Sequence, residues 1–305
     1  ASTNPDILIG TASMLSELGI ADYNEQMGKT MKQSASASVR AALLTALHKL
    51  KYNRIQDVIK SGMNDRDPAV RTAAIGLLNE LDVDRATLPD IVEPIFVKGT
   101  IEEQQETLGV LGEMPIEKSE PILDQLLDKL ASKKLSPALT LDLIEAVDST
   151  HSEKLISKLN PLRPTGSSTE AFAETLYGGD ARVGWRTFMS NPTAQCVRCH
   201  TLGSDGTTVG PPLGNIGNEL TREQLLESLI EPSARLAPGY GSVKVTLKDN
   251  QVVTGVLLEE SSSELILRTA EAEPMEIPLS RISKRENLPS GMPPMRTLLS
   301  KREIR

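Results

Sequence analysis

A repeat in the first half restricts the fold more than any other feature. The stretch SASVRAALLTALHKL (36–50) aligns without a gap on DPAVRTAAIGLLNEL (67–81), 31 positions further on. Val39 falls on Val70, Arg40 on Arg71, Ala42 on Ala73, Leu44 on Ile75, Leu47 on Leu78 and Leu50 on Leu81. Apolar residues three and four apart form one stripe along a helix. A weaker echo lies in EEQQETLGVLGEM, with Leu108, Leu111 and Met114, and another in SPALTLDLIEAVDST, with Leu141, Ile144 and Val147. Partner helices are expected between them, in NRIQDVIKSGM and EPILDQLLDKLASKKL. A helix pair of this length cannot bury its stripe alone, so neighbours must stack, and the pattern predicts an α-solenoid over a plain irregular helical domain.

The unit that starts at Asp67 and Pro68 and continues through Val70, Arg71 and Ala73 places a proline at a helix start. It resembles HEAT repeats, over about residues 4–160. The composition then changes. NPLRPTGSSTE (160–170) combines Pro, Gly and Ser and reads as a linker, which predicts one domain over 1–164 and a second over 165–305. The second begins with a helical stretch, DARVGWRTFMSN, in which Trp185 is read as a core aromatic. A Gly/Pro-rich loop and the helix TREQLLESLIEP follow. From Ser242 the period switches to two. SVKVTLKDNQVVTGVLLEE reads as a hairpin turning at Asp249-Asn250, and three more short strands complete a β insertion of about 240–285, enough for a small SH3-like barrel.

The formal net charge of −8 and pI near 5.2 argue against nucleic acid as a partner. No run is long and apolar enough for a membrane-spanning helix. The opening ASTNPDILIG lacks a signal-peptide pattern and an initiator Met, and the closing LLSKREIR reads as helix without a cap, so the chain is expected to be a fragment.

The only two cysteines, Cys196 and Cys199, stand in TAQCVRCHTLG with His200 directly behind. Cys-x-x-Cys-His is the attachment signature of a c-type haem. Two thiols three apart on a tight turn can reach both vinyl groups of one porphyrin, and the histidine supplies an axial nitrogen. A zinc site wants four ligands, and the other histidines, His48 and His151, lie in the helical half. A thioredoxin-type motif wants a βαβ setting, which the flanks lack.

Eleven positions after His200 comes Gly210-Pro211-Pro212-Leu213. Here the sequence resembles class I cytochromes c. The resemblance implies that the Pro211 carbonyl accepts a hydrogen bond from the free nitrogen of His200 and that Leu213 packs on the porphyrin. Gly184 and Phe188 match the Gly-x-x-x-Phe of that family's first helix, with a longer span from Phe188 to Cys196. For the opposite axial ligand a methionine is expected. Met275 falls in a strand and reads as core. Met292 and Met295 fall in the loop PSGMPPM, and Met292 is preferred because the family motif is Met followed by Pro, with Met295 as runner-up.

The order of helical repeats, haem motif, GPPLGNIG, EPSARLAPGY, β insertion and Met-Pro closely resembles the Pirellula/Verrucomicrobium-type haem-binding domain, over about residues 170–305. The expected architecture is mainly α: a HEAT-like α-solenoid, then an all-α cytochrome c domain carrying the β insertion. The resemblance implies one covalent haem c and electron transfer with His/Met ligation. It also implies a redox partner protein or an upstream dehydrogenase domain, of which this chain would be the C-terminal part, and a periplasmic or extracytoplasmic place in a bacterium. The alternatives are a haem peroxidase or ligand sensor, and a HEAT protein-binding scaffold with an accessory haem.

Overall fold

The structure is a computed structural model and describes residues 4–203, 205–207, 209–271 and 273–305. The expected Gly/Pro loop contains Ser204 and Thr208, which lie outside the described residues, as do residues 1–3 of the opening segment. The chain divides into two units between Arg163 and Pro164.

The first unit is helical: α1 (Pro5–Leu18), α2 (Asn24–Gln33), α3 (Ala37–Lys49), α4 (Ile55–Met63), α5 (Pro68–Ile75), α6 (Leu88–Lys98), α7 (Ile101–Glu113), α8 (Ile116–Ala131), α9 (Thr140–Ser149) and α10 (Glu153–Leu159). Side-chain caps start several of them. Asn4, Ser36, Asp67, Thr100 and Ser152 each accept a backbone N–H of the first turn, which satisfies a donor the helix itself cannot. The odd-numbered helices pack in a row, α1 on α3, α3 on α5, α5 on α7 and α7 on α9. The even-numbered ones lie against them, α2 on α3, α4 on α3 and α5, α8 on α7 and α9. One continuous apolar cluster runs from Ala12 to Leu159. Every apolar residue of the aligned stripes from Val39 to Val147 that falls on Val, Leu, Ile or Met is buried.

The repeat also carries a polar hook. Arg40 grips Asp65 with Nε and Nη2, both at 2.7 Å, while its Nη1 donates to the carbonyls of Ser34 and Ala35 at 2.9 and 3.0 Å. Its repeat mate Arg71 donates to Glu103 at 2.5 Å and to the carbonyls of Asp65 and Arg66 at 2.9 and 3.2 Å. Gln104 occupies the third equivalent place and reaches the Gly99 carbonyl at 2.9 Å. Each hook satisfies carbonyls just ahead of its own helix, and the two arginines also tie one repeat to the next. The Arg40 hydrogen bond holds the Asp65 carboxyl below its ordinary value.

One expectation is modified. The aligned stretch 67–81 is not one helix. α5 stops at Ile75, and a short 3-10 turn at Leu78–Glu80 carries Leu78 into the core.

The second unit contains α11 (Ala181–Ser190), α12 (Ile216–Glu219), α13 (Arg222–Ile230), a five-stranded sheet and α14 (Lys301–Ile304). The strands are β1 (Ser242–Leu247), β2 (Val252–Glu260), β3 (Glu264–Arg268), β4 (Met275–Pro278) and β5 (Ile282–Asn287). All neighbours are antiparallel, in the order β4-β3-β2-β1-β5. The β1–β2 hairpin pairs Val245 with Val253 and turns at Asp249-Asn250, where Asn250 adopts φ 69° and Asp249 accepts the Gln251 N–H. Alternate residues face one small core of Val243, Val245, Leu247, Val253, Leu257, Leu265, Leu267 and Ile277, against which Met275 packs. Among the described residues no helix is long and apolar enough to cross a membrane.

Candidate functional site

The approach to the cysteines is fixed by Asn191, the residue that ends α11. Its Oδ1 accepts the N–H groups of Thr193 and Ala194, each at 2.9 Å, while its Nδ2 donates to Glu303 of α14 at 3.0 Å. Gln195 then takes a left-handed conformation, φ 47°, with its amide bonded to the Pro192 carbonyl and to Arg198. That reversal starts a single 3-10 turn, Cys196–Arg198, whose Cys196 carbonyl receives the N–H groups of Cys199 and His200. Both thiols are free and half-buried, and burial raises the pKa of Cys196.

The loop after His200 folds back over the turn. His200 Nδ1 lies 2.9 Å from the Pro211 carbonyl, the pairing implied by the resemblance. With Nδ1 donating there, Nε2 carries the lone pair and can ligate a metal. Gly210 sits directly on the imidazole. A Cβ at that position would come within 2.7 Å of the Cys199 carbonyl and 3.0 Å of His200 Cε1, so only glycine fits. Leu213 is half-buried and donates its N–H to the Thr201 carbonyl at 2.8 Å. Gly214 lies as tightly against the carbonyls of Leu202 and Gly203. A Cβ on Gly206 would collide with the Tyr240 hydroxyl and Pro212, so the chain entering the β sheet rests on this same loop. Tyr240 belongs to the segment whose Gly239 and Gly241 bond to Leu257 of β2.

Sequence reasoning missed Thr207. Its hydroxyl donates to the Cys199 carbonyl at 2.6 Å and accepts from the N–H groups of Val209 and Gly210 at 3.1 and 3.0 Å. No short motif flags such a residue, because its partners come from two separate turns.

The methionines differ. Met295 is 3% exposed and opens a 3-10 turn that packs on α13. Met292 is half-buried in the loop before it, its N–H held by Ser290 Oγ at 3.1 Å.

Trp185 is not a core residue. It is 56% exposed, on a helix with no buried residue at all. Val183, Met189, Val197, Leu202 and Val209 are exposed too. Among the described residues two clusters of buried apolar side chains form, one in the first unit and one inside the sheet. The helical part of the second unit belongs to neither and buries only Leu226, Ile230 and Met295 among its larger apolar residues. A helical lobe that buries so few of its larger apolar side chains fits a large, flat, apolar prosthetic group that would cover more of them. The donor set fits as well: two uncommitted thiols, one imidazole with Nδ1 already engaged, and a thioether in a loop. Among the described residues no three His, Cys, Asp or Glu side chains gather as a site for a bare metal ion.

Comparison with protein-family models finds no match to this chain, and comparison with characterised proteins finds none either.

Proposed function

We propose that residues 165–305 form a cytochrome c-like electron-transfer domain carrying one covalent haem c, preceded by a HEAT-like α-solenoid over 1–164. The observation that carries this reading is the pairing of a Cys-x-x-Cys-His turn, whose imidazole is already oriented by the Pro211 carbonyl, with a helical lobe that buries only Leu226, Ile230 and Met295 among its larger described apolar residues. The row of odd-numbered helices and the repeated Arg40/Arg71/Gln104 hook support the solenoid. The strand order, with a 3-10 turn just before the last strand, supports the SH3-like reading of the insertion.

In this reading Cys196 and Cys199 would hold the porphyrin through thioethers, His200 Nε2 and the Met292 sulfur would bind the iron, and Leu213 would pack on the ring. Met292 is preferred to Met295 because Met295 is already committed to packing on α13. The haem supplies one-electron chemistry, and His/Met ligation favours the reduced iron. The protein's own part is orientation: the Pro211 carbonyl fixes the imidazole, and the Gly210 and Gly214 contacts hold the loop that carries that carbonyl and Leu213. The partner is a redox protein or a linked dehydrogenase domain, and the compartment is periplasmic or extracytoplasmic in a bacterium, where covalent haem attachment takes place.

The test is the ferric absorption spectrum of protein matured in a strain with haem-attachment machinery. The reading expects a methionine–iron band that Met292→Leu abolishes and Met295→Leu preserves. A high-spin parent spectrum would instead favour the peroxidase or ligand-sensor class.

A further inference from the structure

We propose that Thr207 is the positioning residue that sets the hydrogen bond between His200 and Pro211, and through it the redox potential of the site; the inference rests on the haem reading above. Thr207 makes four bonds of 3.1 Å or shorter. Its hydroxyl donates to the Cys199 carbonyl, one residue before His200, at 2.6 Å. The same oxygen accepts the N–H groups of Val209 and Gly210 at 3.1 and 3.0 Å. Its own N–H donates to the Gly210 carbonyl at 3.0 Å. One side chain thus clamps the residue before the imidazole to the residue before Pro211, across eleven positions in sequence.

The consequence follows from geometry. The Pro211 carbonyl lies one residue beyond Gly210, and Gly210 is held both by Thr207 and by its contact with the ring. A half-buried hydroxyl that uses its one proton and both lone pairs ties Cys199, Val209 and Gly210 to one side chain. A firm Nδ1–H···O bond makes the imidazole a stronger donor through Nε2, which stabilises the oxidised iron and lowers the potential. Releasing the clamp lengthens that bond and raises the potential.

Thr207→Val keeps the shape and removes the hydroxyl, and Thr207→Ser restores it. In the haem-loaded protein the valine variant is expected to show a midpoint potential shifted upward, with the serine variant at the parent value. In the chain without haem, amide exchange at Val209 and Gly210 is expected to be protected in the parent and serine variant. It should be roughly tenfold faster in the valine variant, the loss expected for a hydrogen bond or two. Equal potentials in the parent and valine variant, or Gly210 exchanging freely in the parent, would overturn the proposal. The exchange measurement needs no haem. A parent that takes up no haem but shows Thr207-dependent protection therefore overturns the haem reading and the potential claim while leaving the clamp standing.

Discussion

α9 and α11 are both ten residues long, and they are built on different terms. α9 buries Leu141, Asp142, Leu143, Ile144, Ala146 and Val147 against α7 and α8, as a member of the continuous core of the first unit. α11 has a sound N-cap in Asp180 and apolar residues at Val183, Trp185, Phe188 and Met189, yet buries none of its residues. A helix of this length is marginal alone in water, so packing has to hold it. The first unit supplies that packing from its own side chains. The helical part of the second buries only Leu226, Ile230 and Met295 among its larger described apolar residues, although its loops are tightly specified around Cys199, His200 and Pro211. Loops so closely determined beside helices so loosely packed are what a lobe organised around a tethered guest would show.

Substitution should separate the two units, with the largest effect at the thiols. Replacing both Cys196 and Cys199 by Ala should leave the second unit's helices without covalent haem. Hydrogen exchange should then rise across α11 and α13 in matured protein, while α3, α7 and α9 keep their protection. Next comes Arg40→Ala, which strands Asp65, 13% exposed at its side chain, without its partner. It should cost the first unit about 3–5 kcal/mol in denaturant unfolding and leave the haem spectrum unchanged. It also has a pH signature. The Asp65 carboxyl is held below its ordinary value near 3.8, so its contribution is present above that value and is lost as pH falls through the lower folded value. The acid limb of first-unit stability should flatten in Arg40→Ala. Leu111→Ala, at a fully buried site, should cost about 2–5 kcal/mol, again in the first unit alone. The smallest effect is expected for Gly210→Ala, at about 1–3 kcal/mol for a methyl forced against the Cys199 carbonyl and the His200 ring. It should be confined to the second unit and accompanied by a changed haem spectrum.

The mainly helical character and the five antiparallel strands were legible in sequence, because both are written in short periods. Val39, Leu44 and Leu47 repeat at helical spacing, and Val243, Val245 and Leu247 alternate. The early end of α5 was not legible, because Leu78 and Leu81 keep their places in the pattern while the backbone between Ile75 and Leu78 leaves the helix. Trp185 misled for a related reason. Composition says that a lone tryptophan belongs inside, but burial depends on what covers it. At the candidate site the Cys-x-x-Cys-His and Gly-Pro-Pro-Leu segments stand out as words. Thr207, Asn191 and the Gly206–Tyr240 contact do not, since each acts between segments that only the folded chain brings together.

The central claim is that the second unit completes itself around a porphyrin bonded to Cys196 and Cys199. The intact mass of the chain after expression with haem-attachment machinery tests it most directly. The expected mass is that of the polypeptide plus one haem, shifting back to the bare chain when both thiols are replaced. A colourless product with the mass of the bare polypeptide, from a strain that matures other c-type cytochromes, would contradict it.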